Sequence, residues 1–402
     1  MSGFEFRVLA EDGAARRGVI RTPHGSLETP GFIAVATRAA LKSLDPEAAR
    51  RAGVQALIAN TYHLEMQPGA ARVAAAGGLH RLMGWQGVLA TDSGGFQVFS
   101  LQHGQVADEL KGRRRLPVQV TPHPALPHDR GEAIDPVRVD EGGVDFRSYI
   151  DGSRHRFTPE SCMALQRDLG ADLCFALDEC TPFHVPEPYT RAATERNLRW
   201  ARRCAGAFGE LGMGGGQAFY GIVHGGVYPE LRRWSAGEMA KLACDGFGIG
   251  DCLGETKTDW YGIVEVVTAV LPPERPRHLL GVGEPDDLVE GALRGVDSFD
   301  CAMPTRIARH GQALHRGRSR FRLDVTTPEM AGDDRPLEEG CDCGTCSRFS
   351  RAYVHHLFRA RELLGATLLA EHNLRFTTRL LEQVRDAISA GGLEDLRREL
   401  LH

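Results

Sequence analysis

The chain has 402 residues, 25% of them charged and 42% hydrophobic, and a net charge of −5. This is the composition of an ordinary globular protein, and the charge argues against a generally basic nucleic-acid binder. No apolar run approaches the roughly 18 residues of a membrane span. The opening MSGFEFRVLAEDG has neither a basic start nor an apolar core, so no signal peptide is expected and the chain is read as cytoplasmic. The ten cysteines then read as cytosolic thiols or metal ligands, not as a disulfide framework.

Short apolar or β-branched runs recur along the chain, and amphipathic stretches separate most of them. The strands expected are 31–35, 55–59, 88–91, 172–177, 219–223, 246–249, 278–282 and 296–299. The helices expected are 159–169, 189–211, 229–244, 259–271, 285–294 and 351–364, with a last one at 375–390. Thr158 suits an N-cap and Pro159 the first helical position. Eight strands alternating with helices predict an α/β fold, a (β/α)8 TIM barrel. A doubly wound sheet is the alternative, but its glycine-rich fingerprint after the first strand is missing.

Two insertions interrupt the pattern. Residues 103–138, with KGRRR at 111–115 and PHPALPH at 122–128, read as a long loop with one hairpin. Residues 304–373 carry a cysteine cluster. The division is therefore a barrel core at 1–303, a zinc-binding subdomain at 304–373 and a C-terminal segment at 374–402 whose helix closes the barrel.

Polar residues gather just past the strands: Asn60, Asp92, Asp178, His224, Asp251 and Asp300. In a barrel, the C-terminal ends of the strands build the active site, so these six would converge on one mouth. The last of them stands in SFDCAMPTRIARHG, 298–311, where an acid at a strand end is followed at once by Arg306 and Arg309. Arginines spaced to meet phosphates beside a carboxylate suggest chemistry on a nucleotide. From 306 to 322 there are six arginines and no acid, which makes either a local basic patch or a solvated loop.

Cys341, Cys343 and Cys346 form C-x-C-x-x-C. Three thiolates and one imidazole make a closed tetrahedral zinc site of the structural kind. His355, His356 and His372 are the candidate fourth ligands; the first two fall inside an expected helix, and His372 lies in AEHN.

The chain resembles the tRNA-guanine transglycosylases of bacterial type, the queuine tRNA-ribosyltransferases. The motifs that carry the resemblance are NTYHLEMQPG (60–69), GGLHRLMGWQG (77–87), TDSGGFQVFSL (91–101), YIDGS (149–153), LDECTPF (177–183), GIVHGG (221–226), LLGVGEPDDL (279–288), FDCAMPTRIARHG (299–311) and CDCGTCSRFSRAYVHHL (341–357). The resemblance implies a (β/α)8 barrel with one structural zinc per chain, commonly a homodimer. It implies exchange of the wobble-position guanine of tRNA for a 7-deazaguanine, by default 7-aminomethyl-7-deazaguanine, as part of queuosine formation. Asp300 would be the nucleophile and Asp92 the general acid/base. Asp178 would read the base edge, in a substrate pocket with Ser93, Phe96, Cys180, His224, Asp251, Cys252 and Glu255. Phe96 would stack on the base, Arg306 and Arg309 would hold tRNA, and Cys341, Cys343, Cys346 and His372 would hold zinc.

The chemistry suits those roles. Replacing a base at C1′ with retained configuration needs two displacements, and a carboxylate can form a covalent ribosyl intermediate between them. A second carboxylic acid can protonate the departing purine and deprotonate the incoming one. The target base must leave its stack to reach a barrel mouth.

The chain departs from the family pattern at three places. His224 stands where the family typically has a glutamine. GIGDCLGE (248–255) replaces a glycine-rich loop that is one residue longer. The 103–138 insertion emerges beside Asp92, as a lid, a tRNA contact or a plain solvated loop. A non-catalytic tRNA-binding homologue and a barrel glycoside hydrolase are the competing functions. The first leaves three placed aspartates without a use, and the second leaves the cysteine cluster and the arginines unexplained.

Overall fold

The computed structural model describes residues 3–102, 137–181, 185–251, 254 and 256–401. At its centre eight parallel strands close into a barrel. In chain order these are Gly31–Val35, Ala56–Asn60, Val88–Asp92, Leu173–Phe175, Ala218–Val223, Gly246–Ile249, Arg277–Leu279 and Ser298–Cys301. The eighth strand pairs back onto the first, with Asp300 opposite Ile33. All eight expected strands are present; 31–35 and 246–249 keep their bounds, and the ends of the others move by up to three residues. The eighth starts and ends two residues later than 296–299, so Asp300 lies inside the strand instead of just beyond it. The seventh ends at Leu279, which leaves Gly281 free to turn back toward Asp300.

The strands are buried on both faces and are accordingly short and apolar. Ile33, Ile58, Ala90, Phe175, Tyr220 and Ile222 fill the barrel interior. Helices Pro159–Leu169, Glu187–Glu210, Pro229–Ala240, Lys257–Thr268 and Pro285–Leu293 surround it. The first of these starts as its sequence predicts: the Thr158 hydroxyl accepts from the Ser161 amide, and Pro159 occupies the first turn.

Sequence reading missed the floor of the barrel. Strands Glu5–Asp12, Ala15–Thr22 and Gly25–Thr29 form an antiparallel sheet ahead of the first barrel strand. Its buried Ile20 and Leu27 join the interior cluster from below. Arg16, 3% exposed, pairs with buried Asp297 and also donates to the carbonyls of Pro273 and Arg275, which fastens this sheet to the barrel. A second antiparallel sheet, Val137–Asp140, Gly143–Arg147 and Arg154–Phe157, follows the third barrel strand. Of the 103–138 insertion, only Val137 and Arg138 fall within the described residues, at the start of that sheet.

The C-terminal helices differ from their expected extents. The helix expected at 351–364 ends at Arg359; Arg361 then adopts a left-handed φ of 59°, which breaks the run. The helix expected to begin at 375 begins at Leu363 and runs unbroken to Ala390. It carries His372 near its middle and buries Phe376, Leu380, Leu381, Val384 and Ile388 against the barrel. A further helix, Leu393–Leu401, follows it. No described helix is long and apolar enough to cross a membrane.

Candidate active site and metal centre

Three carboxylates stand at the C-terminal ends of three barrel strands, each in a different setting. Asp92 ends the third strand. Asn60, directly opposite it in the ladder, donates from Nδ2 to its Oδ2 at 2.8 Å, and the Gly94 amide donates to Oδ1 at 3.1 Å. Burial pushes the Asp92 carboxyl up, the Asn60 hydrogen bond pulls it down, and the charges of Asp300 and then Asp178 add to the rise. The outcome is a pKa of about 7. A carboxyl so placed is shared between acid and base forms at neutral pH, the condition proton transfer in both directions requires.

Asp300 is held differently. Its Oδ1 accepts from the Gly281 amide at 3.0 Å and lies 3.1 Å from His278 Nε2, while His278 Nδ1 lies 2.9 Å from the Ser298 hydroxyl. His278 is buried in the seventh strand, and the Asp300 side chain is 14% exposed. All described contacts therefore fall on one oxygen, and Oδ2 remains for an incoming atom.

Asp178 lies past the short fourth strand. Its Oδ1 accepts from the Ser93 hydroxyl at 2.9 Å, and its Oδ2 faces the Cys180 thiol at 3.4 Å and His224 Nε2 at 3.2 Å. This approach needs Gly95, where an added Cβ would sit 2.2 Å from the Asp178 carbonyl oxygen. His224 is 1% exposed, and its Nδ1 lies 3.8 Å from Asp251 Oδ2. Both contacts are ion pairs without hydrogen-bond geometry. Burial works against a charged imidazole, but Asp178 and Asp251 outweigh it and raise the pKa to about 9. Asp251 takes a left-handed φ of 73° and accepts from the Thr181 amide and hydroxyl and from the Gly226 amide. Burial opposes its charge too, yet His224, Arg232 and Thr181 hold it down at about 2.

His224 and Asp251, which follow strands five and six, thus meet at the barrel mouth. Phe96 is half-buried on the helix Gly95–Gln102, one turn past Asp92. Cys252 and Glu255 lie outside the described residues. Arg306 and Arg309 lie on and just after the short helix Met303–Ala308, directly beyond Asp300. Of the arginine run, Arg316 and Arg322 are engaged internally, with Gln383 and with Glu284, while Arg318 and Arg320 are exposed. The basic patch is therefore smaller than the sequence suggests. The sequence reading did not assign a part to His278 and Thr181, or to Asn60 beyond its position at a strand end. His278 sits inside an apolar strand and Thr181 in a loop, so only the closed barrel brings them to the carboxylates.

Cys341, Cys343, Cys346 and His372 form a group that could hold a metal ion, with ligand atoms within 4.8 Å of one another. His372 Nδ1 lies 3.6, 3.7 and 3.3 Å from the three sulfurs in that order. Its Nε2 lies 2.8 Å from the Leu314 carbonyl, which sets the tautomer that leaves Nδ1 free as a ligand. Of the other candidate histidines, His355 turns its Nδ1 to the Val325 carbonyl and His356 is exposed. A second cluster, His24, His80 and Asp172, sits at the barrel floor. There the two rings stack face to face at 3.7 Å, with His24 Nδ1 2.7 Å from Asp172 Oδ1 and His80 Nε2 3.3 Å from Asp172 Oδ2.

The raised pKa of Asp92 has a stability consequence. In an unfolded chain this group ionises near 3.8, and in the fold near 7. The native state therefore loses stability relative to the unfolded one as pH rises from about 4 through 7. Asp92→Asn removes that loss, so its melting temperature should gain on wild type between pH 4 and pH 8, measured by calorimetry. An equal difference at both pH values would contradict the assignment.

Comparison with known proteins finds relatives along nearly the whole chain. A family profile described as Queuine tRNA-ribosyltransferase matches residues 11–123 and 129–402. A queuine tRNA-ribosyltransferase from Roseiflexus sp. (strain RS-1) is 46% identical over 99% of this chain and 98% of its own length. One from Herpetosiphon aurantiacus is 46% identical over 96% of this chain and 89% of its own, and one from Pelotomaculum thermopropionicum is 44% identical over 97% and 95%. The chain belongs to the queuine tRNA-ribosyltransferase family.

Proposed function

We propose that this enzyme exchanges the wobble-position guanine of tRNA for a 7-deazaguanine base through a covalent ribosyl-aspartate intermediate. One observation carries the reading: two carboxylates share one barrel mouth, close enough for the Asp300 charge to add to the rise of the Asp92 pKa, which burial brings to about 7. In the first step an Asp300 oxygen bonds to C1′ as the bond from C1′ to the guanine nitrogen breaks. The electron pair leaves with guanine, and the Asp92 carboxyl gives its proton to the departing purine. In the second step Asp92, now a carboxylate, takes the proton from the incoming base. The freed nitrogen bonds to C1′ and displaces Asp300. Two inversions at C1′ return the original configuration.

Asp178 accepts from the N–H groups on the guanine edge, with Ser93 and Cys180 holding its oxygens, and Phe96 stacks on the base. Arg306 and Arg309 meet phosphates of the flipped nucleotide. Zinc, held by Cys341, Cys343, Cys346 and His372, is structural, because four protein ligands leave it no open position. The working assembly is a cytoplasmic homodimer. The default incoming base is 7-aminomethyl-7-deazaguanine. The buried His224–Asp251 pair supports a shifted preference, because an imidazolium donates from both nitrogens where a side-chain amide both donates and accepts.

Three measurements test this reading. Asp300→Asn should retain tRNA binding and lose at least ~99% of exchange, a loss of ~2.7 kcal/mol or more of transition-state stabilisation. Exchange near the wild-type rate, with reversion to Asp excluded by mass spectrometry, would remove Asp300 from the mechanism. Metal analysis should find one zinc per chain, and Cys343→Ser should lose it together with thermal stability; a zinc-free wild type would refute the site. His224→Gln should change the ratios of kcat/KM among guanine, 7-aminomethyl-7-deazaguanine and queuine by about tenfold, the worth of one altered hydrogen bond to a charged group. Unchanged ratios would reduce His224 to a tolerated substitute.

A further inference from the structure

Beyond the carboxylate pocket, one exposed aromatic stands at the mouth of the barrel. Tyr149 follows the strand Gly143–Arg147 in the turn that leads to Arg154–Phe157, and it is 43% exposed. A ring at an exposed turn is usually free to rotate, but this one is clamped. Its hydroxyl accepts from the Arg38 guanidinium and lies 3.2 Å from His63 Nδ1. The same guanidinium sits 5.6 Å from the ring centroid, and the His63 ring meets Tyr149 edge-on at 5.6 Å. Buried Tyr62 supports it from behind, 5.9 Å between centroids. Arg38 follows the first barrel strand, His63 the second and Tyr149 the third, so all three belong to the C-terminal face.

The clamp is tied to the reacting groups. Asn60, which donates to Asp92, also caps the helix Thr61–Met66 by accepting from the His63 amide at 2.9 Å. Tyr62 packs so closely on Gly94 that a Cβ there would lie 2.5 Å from the Tyr62 Cβ. The Tyr149 ring is therefore held in fixed relation to Asp92. The surroundings are cationic. Arg38 and Lys42 are exposed, and burial together with these two charges lowers the His63 pKa to about 4, which leaves the imidazole neutral. The nearby anion, Asp151, is occupied by the Ser153 amide and hydroxyl in its own turn.

We propose that Tyr149, clamped by Arg38 and His63, is a stacking platform for the unpaired RNA base next to the exchanged nucleotide, with Arg38 and Lys42 facing the adjoining phosphates. This rests on the transglycosylase reading of the site. When the target nucleotide leaves its stack, its neighbour loses a stacking surface, and an aromatic face beside the pocket replaces it. A ring already fixed at both its hydroxyl and its edge loses little further freedom on binding. Exposed lysine and arginine next to an aromatic face is the usual arrangement for single-stranded nucleic acid.

The test uses the full chain and an anticodon stem-loop RNA with 2-aminopurine placed on one or the other side of the target guanine. Wild type should quench the fluorophore at one of the two positions. Tyr149→Ala should bind the RNA about tenfold more weakly, within the range known for one base on one aromatic ring, and lose the quenching. Tyr149→Phe should keep the quenching and most of the affinity. Unchanged affinity and quenching in Tyr149→Ala would overturn the proposal. So would a raised Michaelis constant for the free base at saturating RNA in both variants, because that is the signature of a ring that only props the hairpin. Binding and quenching are read without turnover, so a wild-type chain that stacks the RNA but exchanges no base would count against the transglycosylase reading and not against the platform.

Discussion

Closure of the barrel between its eighth strand, Ser298–Cys301, and its first, Gly31–Val35, is the constraint on which the site depends. It places Asp300 in the same ring of strand ends as Asp92 and Asp178, although the three are far apart along the chain. A closed barrel has no edges and only one C-terminal face, so a residue that ends a strand has little choice of direction. Among the described residues, the interior below is filled by side chains and covered by the N-terminal sheet.

Within that ring, like groups are made unlike by their surroundings. Asp92 meets a neutral amide and a backbone N–H in a buried place, and its charge is disfavoured. Asp251 meets three hydrogen-bond donors and an imidazolium in an equally dry place, and its charge is favoured. Asp300 receives a backbone amide on one oxygen and leaves the other open. Burial pushes the Asp92 and Asp251 carboxyls the same way. The His224 and Arg232 charges beside Asp251, helped by the Thr181 hydroxyl, decide the difference.

The long helix Leu363–Ala390 joins the metal-binding cluster to this face. Its His372 points Nδ1 at three sulfurs and Nε2 at the Leu314 carbonyl. Its Asn373 accepts from the Leu314 amide at 2.7 Å and donates to the carbonyls of Pro304 and Gln312, each at 3.0 Å. Pro304 belongs to the short helix that carries Arg306. Further along, Thr378 donates to Ala52 and Arg385 to Pro30, both on the barrel. A metal bound at His372 would stiffen this helix beside Asn373, whose side chain holds the short helix that carries Arg306, while its later turns pack into the barrel.

By itself, the sequence determined the barrel and the residues at its mouth, because both depend on local signals. Each strand is a short buried run, the helix Pro159–Leu169 starts on its Thr158 cap, and each aspartate stands where a run ends. The C-x-C-x-x-C spacing likewise names three ligands without further help. The floor sheet was not legible, because its first strand only alternates half-buried and exposed residues and the next two are polar runs with few buried apolar side chains, Ile20 and Leu27 among them. The unbroken helix was not legible either, because its first turns expose Leu363 and Leu364, and apolar residues on an exposed turn blur the face that marks a helix. Only the tertiary structure decided that His355 turns away to Val325 while His372 faces the cysteines, that the Asp92 carboxyl is pushed up to about 7, and that His278, Asn60 and Thr181 hold carboxylates at the mouth. Those outcomes depend on distances between side chains from different strands, and no local pattern encodes a distance that exists only once the barrel has closed.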